Sequence, residues 1–140
     1  MRGSLSCNIV RGVPHIMPPR STIGQNVGRP QKGATMTTKV MFYIGLNDKD
    51  AHVQTIHTLD ARNIVSRTFV AHGVDGATIS GGQGIYKHDD GTIVIEQTII
   101  VQVFEFGSPI DVNGICADLK RMLNQESIAV ERLQTDSMLV

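Results

Sequence analysis

The sequence has no tryptophan, only two tyrosines and four phenylalanines, so its 41% hydrophobic content must pack largely as aliphatic side chains. At 140 residues the chain is one domain's length with a small core. Its two cysteines, Cys7 and Cys116, lie far apart, with no CxxC or Cys/His spacing. That argues against a disulfide framework or a zinc site and fits a reducing cytoplasm. No apolar run reaches the roughly 18 residues that a membrane helix requires, so no membrane partner is expected. His52, His57, His72 and His88 show no metal-ligand spacing and read as solvated side chains; neither a metal nor a cofactor is expected. Lys120-Arg121 is too short a basic patch to call for nucleic acid.

Acid is missing from one end. Residues 1–35 hold five basic side chains (Arg2, Arg11, Arg20, Arg29, Lys32) and no Asp or Glu, which leaves eight basic and thirteen acidic residues for 36–140. A neutral chain is therefore a leader of charge +5 on a domain of charge −5. Pro14, Pro18, Pro19 and Pro30 also fall in the leader, without a periodic apolar pattern, and residues 1–35 are expected to be disordered. A nucleic-acid arm would use such charge, and an organelle presequence would share it, although the prolines and glycines work against an amphipathic helix. A third reading is that the leader is not native. Met1-Arg2-Gly3-Ser4 matches many vector-encoded starts, and Lys32-Gly33-Ala34 can be encoded by a bacterial ribosome-binding sequence just before the Met36 codon. This third reading is the one expected, with the domain spanning 36–140.

What the chain does have is concentrated in Gly76 to Thr98, GATISGGQGIYKHDDGTIVIEQT. Ala77-Thr78-Ile79-Ser80 alternates with period two, which places Thr78 and Ser80 on one strand face and Ala77 and Ile79 on the other. Gly81, Gly82 and Gly84 read as a glycine-rich turn that would permit positive φ or close approach to a ligand, with Tyr86 just beyond. Asp89-Asp90-Gly91 reads as a turn returning the chain into a strand over 92–106. There Val94, Glu96, Thr98 and Ile100 share a face, opposite Ile93, Ile95, Ile99, Val101 and Val103. A glutamate among so many β-branched residues is the oddity.

Around this stretch, Lys39 to Leu46 suits a central strand. Asn47, Asp48 or Asp50 could cap a helix with apolar positions at Val53, Ile56, Leu59, Ile64, Val65 and Phe69, ended by Gly73. Asp111 reads as the N-cap of a second helix carrying Val112, Ile115, Cys116, Leu119, Met122 and Leu123 at three- and four-residue spacing. Ile128 to Leu133, with Met138 to Val140, supplies a last strand. The order βαββαβ predicts an α+β, ferredoxin-like fold with two helices on one face of a four-stranded antiparallel sheet. The other face, bearing Val94, Ile100, Phe104 and Phe106, would be exposed unless other copies of the chain cover it.

That order resembles the PII-like trimeric proteins, which have a long loop between the second and third strands and ligand sites between subunits. Within them, Gly84-Ile85-Tyr86-Lys87 followed by Glu96-Gln97-Thr98 resembles the bacteriophage S-adenosylmethionine lyases. The resemblance implies an enzyme converting S-adenosylmethionine to 5'-methylthioadenosine and homoserine lactone. It also implies a homotrimer with sites between subunits, no cofactor, and anti-restriction work in the cytoplasm of an infected bacterial host. Glu96 would hold the substrate's ammonium and Tyr86 would present its hydroxyl to the reacting end. Thr78 and Ser80 would bond the carboxylate or ribose, and Glu131 is a further candidate ligand contact. Asn124-Gln125-Glu126-Ser127 is similar to an uncharacterised bacterial PII-like family, which keeps open a non-catalytic module that binds a nucleotide or metabolite and signals.

Read from the residues alone, blander roles stand beside these. Glu96 could pair with Lys87 or Arg132 across the sheet, Tyr86 could pack its ring and wet its hydroxyl, and Thr78 and Ser80 are common on solvated faces. Asp48, Asp50 and Asp60 read as helix-surface and capping acids. For the leader, N-terminal sequencing of the protein expressed from its native gene is expected to begin at Met36; a start at Met1 overturns that reading.

Overall fold

The computed structural model describes residues 35–140. Apart from its final residue, the leader lies outside the described residues. The elements run β1 (Thr35–Gly45), α1 (Thr58–Ala71), β2 (Thr78–Lys87), β3 (Ile93–Glu105), α2 (Val112–Met122) and β4 (Ala129–Ser137). The strands form one sheet in the order β2-β3-β1-β4 with every pair antiparallel. This is the ferredoxin-like α+β arrangement expected from the order of elements.

Period-two alternation in β1 and β3 decides which face is covered. Val40, Phe42 and Ile44 of β1 and Ile99, Val101 and Val103 of β3 are buried on the helix side, against Ala61, Val65 and Phe69 of α1 and Ile115 and Leu119 of α2. The two phenylalanines meet edge to face, Phe42 on Phe69 at 4.9 Å between centroids. The remaining core is aliphatic.

Both helices end as their sequences dictate. Asp111 Oδ1 accepts the Gly114 N–H (2.9 Å) at the start of α2. After α1, Gly73 adopts φ +77, its N–H reaching Val70 O while the Val74 N–H reaches Phe69 O, the two-bond pattern of a Schellman cap. Between the helices, His72 Nε2 lies 2.8 Å from Asp118 Oδ2.

Four expectations need correction. The run Gly81 to Gly84 is no turn: it continues β2 in register with β3, and only Gly73 and Gly91 among the described glycines have positive φ. The chain reverses at His88–Thr92, where His88 N–H donates to Thr92 O and Gly91 takes φ +90. The resemblance's long loop between the second and third strands is therefore a five-residue reversal at the end of a long hairpin. The first helix starts at Thr58 with His57 as N-cap, and Val53 and Leu59 are exposed. The acids thought to cap it serve a loop. The last strand runs on to Ser137, pairing with Thr35, and leaves Met138 to Val140 outside it.

That loop is a polar clamp. Asp48 Oδ1 accepts the N–H groups of Asp50 and Ala51, and its Oδ2 accepts from the Asn124 side-chain amide, which also reaches Asp50. Gln125, largely buried, donates to Asn47 O (2.8 Å), so the segment after β1 is tied to the segment after α2. The Ala51 N–H and then the Asn124 amide hold the Asp48 carboxyl below its ordinary value. A depressed carboxyl contributes stability that is present above its unfolded value and is lost as pH falls through the folded one.

Two outcomes follow. Phe42→Ala should cost about 3–5 kcal/mol of unfolding free energy in urea titration; a loss under about 1 kcal/mol would contradict the assigned core. Asp48→Asn should flatten the fall of thermal midpoint below about pH 4, and a curve parallel to wild type would show that the Asp48 charge plays no part.

Candidate active site

The uncovered sheet face carries the odd glutamate. Pairing of β2 with β3 puts Gly84 opposite Glu96, Gly82 opposite Thr98, Ser80 opposite Ile100 and Thr78 opposite Gln102. Pairing of β1 with β3 and β4 adds Tyr43 and Gly45, with Ala129 and Glu131 beyond them. All five residues singled out from the sequence (Thr78, Ser80, Tyr86, Glu96 and Glu131) thus lie on this face. The structure does not bring them all together.

A cavity of about 680 Å³ opens here, floored by Gly45, Gly82 and Gly84 and walled by Tyr43, Tyr86 and the clamp segments. Its floor is low because three positions on it lack side chains. Glu96 and Tyr86 line it. Ser80 does not, although its partner Ile100 does. Thr78 lines a second cleft, of about 670 Å³, at the far end of the hairpin with Phe104 and Phe106. At about 3.3 Å per residue it stands some 20 Å along the strand from Gly84. Glu131 lies outside both linings and accepts from the Tyr43 hydroxyl (3.4 Å). It is placed to orient that ring.

Glu96 is half-buried, and its Oε2 accepts the backbone N–H of Asn47 (3.2 Å). Neither cross-sheet ion pair considered for it forms. Arg132 turns to the helix side, where Nη1 is 3.6 Å from Glu105 Oε1, and among the described residues no Lys or Arg pairs with Glu96. A carboxylate held by one backbone donor in a cavity is an open acceptor for a cationic or hydrogen-bonding ligand. Tyr86 remains 42% exposed, its ring edge to face with His88 at 5.1 Å, so its hydroxyl is available. Partial burial, then the Glu131 carboxylate, push the Tyr43 phenol upward; it enters the cavity wall as a neutral hydroxyl.

The sequence reading missed Tyr43, Gly45 and the clamp segments. Period-two geometry along β1 puts Tyr43 and Gly45 on the face opposite Val40, but the run is apolar throughout, so only pairing could show which face is core and that the other adjoins Glu96. No group of His, Cys, Asp or Glu among the described residues is arranged to hold a metal ion. No helix among them is long and apolar enough to cross a membrane.

No protein-family model and no curated protein sequence matches the chain. Among solved structures it is similar to a phage SAM lyase in complex with S-methyl-5'-thioadenosine, at 19% identity and TM-score 0.53, covering 79% of this chain and 88% of that one. It is likewise similar to phage SAM lyase in the apo state, at 17% identity and TM-score 0.54, covering 76% and 85%. The ATP complex of GlnK from B. subtilis gives 14% identity and TM-score 0.44, covering 70% and 83%. At these identities the likeness to phage SAM lyase is one of fold, and the chain's fold is the ferredoxin-like α+β arrangement of its own topology.

Proposed function

We propose that the protein is an S-adenosylmethionine-degrading lyase whose site is the Glu96 cavity. The observation that carries the reading is a carboxylate that, among the described residues, has no cationic partner, seated in a glycine-floored cavity beside Tyr86. Support comes from the likeness of fold to phage SAM lyase, one example of which binds S-methyl-5'-thioadenosine. The substrate's amino-acid tail carries an ammonium, the charge complement of Glu96.

The reaction asks little beyond orientation. The substrate's own carboxylate attacks its γ-carbon as the carbon–sulfur bond breaks and the electron pair passes to sulfur. The products are homoserine lactone and 5'-methylthioadenosine, and the atoms balance without water or metal. Carboxylate and sulfonium both lose charge on the way, so a site that folds the tail and sheds water favours reaction. Orientation can supply several of the roughly 7–11 kcal/mol open to well-placed intramolecular reactions. Glu96 holds the ammonium, and Tyr86 offers its hydroxyl at the reacting end. Ser80, beside Ile100 at the cavity's edge, is placed toward the carboxylate or ribose, Thr78 lies in the second cleft, and Glu131 acts through Tyr43.

The cavity is open to solvent, and the face around it exposes Phe104, Phe106 and Leu133. Further copies of the chain, three in the proposed assembly, cover that face and close the site between subunits. The proposed setting is anti-restriction in the cytoplasm of an infected bacterium.

Incubation of the purified protein with S-adenosylmethionine should yield methylthioadenosine and homoserine lactone by chromatography with mass detection. Homoserine formed faster than lactone opens would indicate hydrolysis. Glu96→Gln should lower turnover by at least about 100-fold while leaving assembly intact. Retained turnover in the folded variant would refute the role of Glu96. No turnover by folded, assembled wild type would leave a nucleotide- or metabolite-binding module as the function of the cavity.

A further inference from the structure

Gly45 has no backbone reason to be glycine. It sits at the end of a regular strand, and it is not among the described glycines with positive φ, which are Gly73 and Gly91. Nor does the core crowd it. A β-carbon built there would have as its three nearest neighbours the head group of one side chain: Glu96 Oε1 at 2.5 Å, Cδ at 2.6 Å and Oε2 at 2.6 Å. The carboxylate lies in the space that any other residue at position 45 would fill.

Its neighbours on the cavity floor differ. A β-carbon at Gly84 would meet Thr98 Oγ1 at 3.0 Å and, of Glu96, the stem at Cγ (3.5 Å) and Oε1 only at 3.9 Å; one at Gly82 would meet Ile100 Cδ1 at 3.3 Å; one at Gly81, on the opposite face of β2, would meet nothing within 4 Å. Beyond this seat, Glu96 is fixed by the Asn47 N–H, two residues further along the same segment as Gly45.

We infer that Gly45 is a positioning residue, whose missing side chain lets the Glu96 carboxylate lie against β1 and reach the Asn47 N–H. The importance of this for ligand binding rests on the reading of Glu96 as the group that holds the substrate's ammonium. A methyl group at position 45 displaces the carboxylate. Because that carboxylate is the free end of a flexible side chain, the head group moves and the fold does not.

The test compares Gly45→Ala with wild type and with Gly81→Ala as a control, each in the full chain. The first readout needs no ligand. In amide proton–nitrogen spectra, the Asn47 resonance of Gly81→Ala should coincide with that of wild type, whereas in Gly45→Ala it should move as it does in Glu96→Ala, which removes its acceptor. An Asn47 resonance unmoved in Gly45→Ala would overturn the inference.

The second readout is calorimetric binding of two probes: S-adenosylhomocysteine, which has the amino-acid tail, and methylthioadenosine, which lacks it. Gly45→Ala should weaken the first by about tenfold, as expected for one charge-assisted hydrogen bond, and leave the second within about twofold. Equal loss of both would show that the methyl group damages the cavity as a whole and would overturn the positioning role. Should wild type bind neither probe, the lyase reading fails, and the Asn47 amide resonance still decides whether Gly45 seats Glu96.

Discussion

Everything distinctive about the open face depends on one constraint: the Glu96 carboxylate is accommodated by removing side chains around it. On a packed sheet face a glutamate would point to solvent or find a cation across the strands. Here Gly84 stands directly opposite it and Gly45 lies beneath its head group, so the side chain lies down against β1 and takes one backbone N–H. Partly withdrawing a charge from water is unfavourable unless something compensates, and a single amide does so only in part. The proposed ligand completes the compensation, which makes the site receptive to a cationic tail. The same missing side chains give the cavity its depth.

The seat is only as firm as the strand end that forms it. β1 is the inner strand between β3 and β4, and its alternate side chains Val40, Phe42 and Ile44 are fully buried under the helices. Beyond Gly45 the chain leaves the sheet, and the Asn47 segment is held by the Asp48, Asn124 and Gln125 bonds. The clamp therefore sets the position of the one amide that Glu96 uses. Core, clamp and carboxylate form a chain of support running from the helix side of the sheet to the open side.

Much of this was legible in the sequence. The alternation in the third strand put Glu96 and Ile100 on one face, helical spacing found Ile115, Leu119 and Leu123, and Gly73 and Asp111 were recognised as caps because cap chemistry is local. The errors share a cause: glycine and aspartate have several uses, and neighbouring residues do not say which applies. Gly81, Gly82 and Gly84 read as a turn, yet they are strand residues whose purpose is set by what pairs opposite them. Asp48 and Asp50 read as helix caps, yet their partner Asn124 lies more than seventy residues away. Thr78 was placed on the correct face, but strand rise carries it away from Glu96, and only the register with β3 makes that visible. Tyr43 was hidden because the run containing it reads as uniformly apolar.

The most direct measurement of the central claim is a crystal structure of the Glu96→Gln variant soaked with S-adenosylmethionine. The account predicts the substrate's ammonium within hydrogen-bonding distance of the side-chain oxygen at position 96, with the tail over Gly82 and Gly84 and the Tyr86 hydroxyl at its reacting end. Substrate bound with its tail pointing away from β1, or seated instead against Phe104 and Phe106, would contradict it.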